Sequence, residues 1–227
     1  MNCNVVVCNV QLIFVGLFSS IGICDKIKKI RALLCGDATN IPVGEKNMSI
    51  YEPEDYKEVI NRIRNKLDEN NIKMGECVSE EAIAAFENRC KIRLPEAYRL
   101  FLKNVGNGCD SMIDGCCLKR LEDIEQKDLS WPFMLEEFWL WEEDDREEDI
   151  INEEMETKVY QGEIELINLG CGMSYNLIVS GKCRGEVWNF TDVGVQPCCE
   201  RQDFLGWFEL WLDCQDETDY FKDYVYE

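Results

Sequence analysis

The sequence predicts an α+β fold in which an antiparallel β-sheet is flanked by N-terminal and C-terminal helices. Three observations support this prediction. Helical spacing of apolar residues dominates positions 56–105, strand-like composition dominates positions 164–190, and helical spacing returns at positions 204–212. Helices, then strands, then a helix in sequence order are typical of an α+β domain, whereas an α/β domain alternates the two.

Three amphipathic helices are predicted in the first half of the chain. Apolar residues at i, i+3, i+4, i+7 and i+11 over residues 56–67 form one buried helix face. Ser79 has a side chain suited to cap the next helix, which carries apolar residues up to position 90. Pro95 is expected in the first turn of a third helix. That helix keeps the apolar spacing to Val105 and ends at glycines 106 and 108.

The second half of the chain predicts an antiparallel meander followed by one strongly apolar helix. Residues 164–169 alternate, and residues 175–179 and 185–190 are rich in β-branched and aromatic side chains. The run 170–172 is predicted to form a tight turn, and the run 180–182 is predicted to form a hairpin turn. The final helix spans residues 204–212.

Composition narrows the possible functions. The 227 residues include 45 Asp+Glu against 24 Lys+Arg, which gives a formal net charge of −21, and there is no histidine. Nucleic acid and anionic membranes should therefore repel this protein, whereas a basic partner should be attracted. The absence of histidine excludes Ser-His-Asp and Cys-His catalysis and histidine-containing zinc sites. The chain is 46% hydrophobic, which suits one globular domain rather than a disordered protein.

No catalytic residue, cofactor site or metal site is predicted. The 14 cysteines contain no CxxC pair, and no GxxxxGK[ST] phosphate loop occurs. We expect the cysteines to be mainly free thiols in a reducing cytoplasm, with disulfides or a metal as the alternatives. An enzyme that uses carboxylates or a reactive thiol remains a distant hypothesis. Its best candidate nucleophile is Cys90, which lies between Arg89 and Lys91.

The chain divides at about position 47. Residues 1–47 carry five Lys+Arg and three Asp+Glu, whereas residues 48–227 carry 19 and 42. Residues 3–24 contain no charge and are followed by a basic cluster, so they are either a membrane anchor that leaves the main domain in the cytoplasm or part of a dispensable or mis-assigned start. Both interpretations stay open. Residues 48–227 are predicted to form a single domain with an acidic segment at 136–156.

The acidic segment is the predicted partner-binding site. Its carboxylates and two tryptophans combine an aromatic anchor with an acidic rim, which suits a basic protein. An equally weighted alternative is a solvated acidic loop whose tryptophans pack into the domain core. The predicted contact residues are Glu136, Glu137, Trp139, Trp141, Glu142, Glu143, Asp144, Asp145, Glu147, Glu148 and Asp149.

Several phrases of the chain resemble the SUKH superfamily, also called the Smi/Knr family. They are LPEAYRLFLKNVGNG at 94–108, GCGMSYNLIVSGKCRGEVWNFTDVGVQP at 170–197, DFLGWFELWLD at 203–213, and the stretch 131–141, which runs into WLWEEDD. The resemblance covers about residues 52–213. The matching positions, which we expect to serve core and turn formation, are Leu94, Pro95, Tyr98, Phe101, Leu102, Asn107, Gly108, Gly170, Gly172, Gly185, Trp188, Phe204, Trp207 and Trp211.

The resemblance implies an α+β domain with a non-enzymatic role. Many bacterial members look like immunity proteins that bind and neutralise polymorphic toxins, often nucleases, and other members are regulatory interaction modules in eukaryotes. We therefore expect a cytoplasmic immunity protein whose partner is a basic toxin, with nucleases as the favoured class. A regulatory protein–protein interaction module of the same fold is the alternative. Neither role involves a cofactor or nucleic acid, and a membrane would be involved only if residues 3–24 insert.

Overall fold

The computed structural model describes residues 51–109, 116–125, 129–199 and 202–213. Within these ranges the chain forms five α-helices and one five-stranded sheet. The helices are α1 (Tyr56–Glu69), α2 (Glu80–Cys90), α3 (Glu96–Asn104), α4 (Glu148–Glu154) and α5 (Phe204–Leu212). The strands are β1 (Trp139–Leu140), β2 (Glu163–Gly170), β3 (Met173–Ile178), β4 (Val187–Phe190) and β5 (Gly194–Pro197). The predicted α+β class is confirmed.

The four helices predicted from apolar spacing are present. Ser79 caps α2 as predicted, because its hydroxyl accepts a hydrogen bond from the backbone N–H of Ala82 at 3.2 Å. Pro95 differs by one position from the prediction. It precedes α3 in an extended conformation (ψ 140°), and its carbonyl accepts the backbone N–H of Arg99 at 3.0 Å. Pro95 is therefore the last residue of the connection from α2, and α3 begins at Glu96.

The strands are antiparallel and lie in the order β1-β5-β4-β3-β2. The predicted tight turn at 170–172 joins β2 to β3, and all three of its residues have positive φ. The predicted hairpin turn at 180–182 is wrong. Gly181 forms a bridge with Phe133, and the chain reverses further on, where the N–H of Glu186 donates to the carbonyl of Cys183 at 3.0 Å. The turn prediction failed because the contact that holds Gly181 comes from a distant part of the chain.

The sheet is covered on both faces, and neighbouring residues of β4 show this directly. Val187 packs into the larger core with α1, α2, α3 and α5, whereas Trp188 packs into a second hydrophobic cluster. Phe133 contributes to that second cluster, with its ring centroid 4.9 Å from that of Trp188. Trp141 belongs to the same cluster, and its indole N–H donates to the carbonyl of Asp192 at 2.9 Å. Apolar residues between positions 133 and 160 therefore cover the second face of the sheet.

A buried carboxylate joins the first and last helices. Glu209 of α5 is 6% exposed and accepts hydrogen bonds from Arg62 at 2.9 Å and from the Tyr51 hydroxyl at 2.6 Å, while Lys66 lies 3.2 Å away. Burial by itself would raise the pKa of Glu209, but the hydrogen bonds from Arg62 and Tyr51 and the charge of Lys66 outweigh it and lower the pKa from 4.5 to about 2. This cluster stabilises the contact between α1 and α5.

Within the described ranges, no helix combines the length and the apolar character needed to cross a membrane. The predicted extension 1–47, which includes residues 3–24, lies outside the described residues.

Glu209→Gln should lower the free energy of unfolding at neutral pH and make that free energy depend less on pH in the acid range. The substitution leaves Arg62 and Lys66 beside a neutral group, so we expect a loss of about 1–3 kcal/mol at neutral pH. Because the folded-state pKa is depressed, the stabilisation by Glu209 is present above pH 4.5 and is lost as the pH falls towards about 2. The difference in unfolding free energy between the two proteins should therefore shrink across that window in urea titrations. Glu58→Gln is the control, because Glu58 contacts Arg62 from the surface. An equal loss in both variants would contradict this account.

Trp141→Phe should destabilise the segment that packs on the second face of the sheet. The variant keeps most of the ring but leaves the Asp192 carbonyl without its indole donor, which should cost about 1–3 kcal/mol. Amide hydrogen exchange should accelerate around residues 139–145 more than in α3. Trp131→Phe is the matched control, because Trp131 is 59% exposed and its replacement should change stability by less than about 0.5 kcal/mol. Unchanged exchange around 139–145 would contradict the supporting role of Trp141.

Candidate functional site

The predicted acidic segment lies at the edge of the sheet. Its short strand β1 pairs with β5, with Trp139 opposite Val195 and Leu140 opposite Gly194. The N–H of Glu142 adds a hydrogen bond to the carbonyl of Val193 at 3.1 Å. Eight of the nine predicted carboxylate side chains belong to exposed residues, and Asp144 is partly buried. The structure thus brings these carboxylates together on one anchored surface segment.

The two predicted tryptophans occupy different environments. Trp141 is 8% exposed and lies in the second hydrophobic cluster. It therefore packs the segment against the sheet and is not available to a partner. Trp139 is partly buried and packs edge-on against Trp141, with the ring centroids 5.7 Å apart. Trp141 therefore has a structural role, whereas Trp139 keeps part of its surface open to solvent.

Arg146, which interrupts the acidic run, organises its middle. The Arg146 guanidinium donates to Asp144 at 2.7 and 2.8 Å and to Glu154 at 3.2 Å, and it lies 5.8 Å from the centre of the Trp139 ring. The indole N–H of Trp139 also donates to Asp144 at 3.1 Å. Hydrogen bonds from Arg146 hold the pKa of Asp144 well below its usual range. Asp144 thus stabilises the conformation of the segment itself, whereas the other predicted acids face solvent.

Four exposed apolar side chains lie among these acids. The large hydrophobic residues that are most exposed in the described ranges all fall between positions 131 and 150. They are Trp131 (59%), Met134 (57%), Phe138 (46%) and Ile150 (47%). We call these four side chains, together with Glu136, Glu137, Glu142, Glu143, Asp145, Glu147, Glu148 and Asp149, the acid–apolar surface.

A shallow groove of about 420 Å³ lies within the acid–apolar surface. Its apolar lining comes from Met134, Leu135, Phe138 and Trp139, and its charged lining includes both signs. Sequence analysis did not select Met134, Phe138 or Ile150. They follow no helical or strand period, and their exposure depends on which neighbouring side chains fill the second cluster. The coincidence of apolar and acidic residues in one short stretch was the available signal.

The residues shared with the family pattern lie in the core and in turns. Leu94, Tyr98, Phe101, Leu102, Phe204, Trp207 and Trp211 are in the larger core, and Trp188 is in the second cluster. Gly108, Gly170, Gly172 and Gly185 have positive φ. The Asn107 side chain accepts the N–H of Leu121 and donates to Glu122, both at 2.7 Å. None of these placements points to contact with a partner.

The other groups that could take part in chemistry, such as Cys90 and Asp192, lie in turns or in packed regions. In the part of the chain that the structure describes, no group of three or more Cys, Asp or Glu side chains is arranged to hold a metal ion. Cys90 is a free, partly buried thiol that packs against the larger core. Asp192 lies in the β4–β5 turn, where the Thr191 hydroxyl accepts the N–H of Gly194 at 3.0 Å. These arrangements serve turns and packing.

Residues 77–214 match the family model of the SMI1 / KNR4 family (SUKH-1). Comparisons with curated proteins and with solved structures find no match. The family match covers more than half of the chain and includes helices α2 to α5 and all five strands of the described residues. The chain therefore belongs to the SMI1 / KNR4 family (SUKH-1).

Proposed function

We propose that this protein is a non-enzymatic immunity protein that binds a basic toxin through the acid–apolar surface and thereby neutralises it. One observation carries the proposal: the exposed apolar side chains Trp131, Met134, Phe138 and Ile150 lie in the same short stretch as the densest acidic block. Isolated surface hydrophobic residues are ordinary, but four of them in one acidic stretch match the composition of a protein-binding surface.

The apolar and acidic parts of this surface have different roles in the proposed complex. Phe138, Met134 and Ile150 supply apolar area that a partner would remove from water, which stabilises the bound state. The carboxylates around them supply attraction before contact. The net charge of −21 adds long-range attraction between the chain and a basic protein. Together they favour fast association and slow dissociation.

A nuclease is the favoured class of toxin. A nuclease must present basic side chains to the phosphates of its substrate, and an acidic surface is complementary to such a cleft. The anchored segment would cover the cleft without a large rearrangement, because β1 and Trp141 already fix its backbone. Neutralisation would then need binding alone and no chemical step.

A regulatory interaction module of the same fold is the second candidate, as the resemblance to eukaryotic regulators implies. Capture experiments separate the two candidates. The full chain would be immobilised and exposed to its native extract, together with an inactive form of any toxin encoded beside it, and then washed at low and high salt. One basic protein that is released by high salt, and whose active form loses its activity when the full chain is added, would support the immunity role. Several partners that resist salt would favour the regulatory role.

Neutralising two exposed acids should weaken toxin binding without changing the fold. Glu142→Gln/Glu143→Gln removes two carboxylates from the acid–apolar surface, and we expect about three- to tenfold weaker binding with a smaller dependence on salt. Glu54→Gln/Glu69→Gln is the matched control, because it changes the net charge equally at exposed positions before and within α1. Calorimetric titrations at several salt concentrations would measure both. An equal loss in the two double variants would assign the effect to net charge and reject this surface.

Phe138→Ala should weaken the complex mainly by speeding its dissociation. The phenyl ring is 46% exposed in the unbound protein, and its burial against the toxin should contribute about 1–3 kcal/mol. Phe138→Leu retains much of the apolar area and should keep most of the affinity. Surface plasmon resonance would separate the two rate constants. Identical dissociation rates for wild type and Phe138→Ala would place the contact elsewhere.

A further inference from the structure

A second charged groove has a basic lining. It has a volume of about 570 Å³ and is bordered by the α2–α3 connection and by the loop that follows β3. Lys91, Arg93 and Arg184 line it, and the partly buried Ile92 adds an apolar residue. We call it the basic groove. Three cations in one groove are unexpected in a chain of net charge −21.

The three cations differ from most others in the described ranges, where Lys and Arg side chains commonly contact carboxylates. Arg62, Lys66, Arg99, Lys103, Lys119, Arg146, Lys158 and Lys182 all form such ion pairs. Within the described residues, Lys91, Arg93 and Arg184 have no carboxylate within ion-pair distance. The one acid that lines the groove, Glu96, faces Arg99 at 3.8 Å. The groove therefore keeps its positive charge available.

One wall of the basic groove is held in place by a buried ion pair. Glu87 accepts the backbone N–H of Leu94 at 2.8 Å and faces Arg99 at 2.6 Å. Arg99 is itself buried and also contacts Glu80. Lys91 ends α2 in the left-handed conformation (φ 56°), which turns the chain into this wall. Because the wall is fixed before a ligand arrives, binding would cost little ordering entropy.

The opposite wall is fixed by backbone hydrogen bonds. The carbonyl of Gly162 accepts the N–H groups of Val179 and Ser180 at 2.8 and 3.1 Å, and the carbonyl of Ser180 accepts the N–H of Phe133 at 3.0 Å. Gly181 has φ 109°, and a Cβ atom there would collide with the carbonyl oxygen of Phe133. Arg184 then reaches across the groove and donates to the carbonyl of Arg93 at 2.9 Å.

We propose that the basic groove binds an acidic segment of a protein partner, in which carboxylates accompany an aliphatic side chain. The cations would pair with the carboxylates, and Ile92 would contact the aliphatic group. A bare phosphate would leave this apolar lining unused. A nucleic acid carries phosphates on both sides of any bound stretch, and the phosphates outside the groove would face the acids of the rest of the chain, whereas a short acidic segment keeps its charges inside the groove. The proposal does not depend on the identification of a toxin.

The test uses a labelled peptide of alternating aspartate and leucine, titrated with the full chain and followed by fluorescence anisotropy. At a salt concentration of about 0.15 M the Debye length is about 8 Å, so the repulsion between the peptide and more distant acids is screened. Ion pairs inside the groove remain effective. We expect saturable binding that Lys91→Gln/Arg93→Gln weakens about three- to tenfold. Lys57→Gln/Arg64→Gln, which removes one Lys and one Arg from the exposed face of α1, should change it by less than about twofold. All four substituted residues are exposed, so both variants should keep the thermal stability of the wild type.

Four outcomes would overturn the proposal. They are a lack of binding, equal binding of a matched asparagine–leucine peptide, equal loss in both double variants, and displacement of the peptide by pyrophosphate as efficiently as by unlabelled peptide. The last outcome would assign the groove to small anions. Glu142→Gln/Glu143→Gln should not weaken peptide binding. A failure of the basic groove and a failure of the acid–apolar surface are therefore distinguishable.

Discussion

The burial of β3 and β4 on both faces is the constraint on which the other features depend. All residues of these two strands are buried, so each face of the sheet needs an apolar cover. The helices cover one face, and the segment that contains Phe133 and Trp141 covers the other. The side chains of this second cover that point away from the sheet are free to be acidic and apolar. The acid–apolar surface is thus the outer side of a structural element.

The segment that covers the second face of the sheet also links the acid–apolar surface to the basic groove. Phe133 binds the loop after β3 through Ser180 and Gly181, and that loop forms one wall of the basic groove. Lys182, in the same loop, forms an ion pair with Glu136 of the acid–apolar surface. A partner that carried a basic and an acidic element side by side would meet both surfaces in one orientation only. Charges of opposite sign in fixed positions favour specificity more than raw affinity.

Periodicity predicted the helices well because their buried stripes are local. The apolar spacing in α5, for example, places Phe204, Trp207 and Trp211 on the faces that the structure buries. Features set by distant contacts escaped prediction. The turn after β3 was misplaced because Phe133 holds Gly181, and the burial of Arg99 depends on two glutamates of α2.

The candidate site was predicted only in part, for the same reason. Charge density located the acidic segment, but sequence could not distinguish the buried Trp141 from the exposed Phe138. The most direct test of the central claim is amide hydrogen exchange on the full chain, with and without its captured basic partner. The account predicts slower exchange in residues 134–150 on binding, and unchanged exchange on the exposed face of α1. Protection of α1 with residues 134–150 unchanged would contradict it.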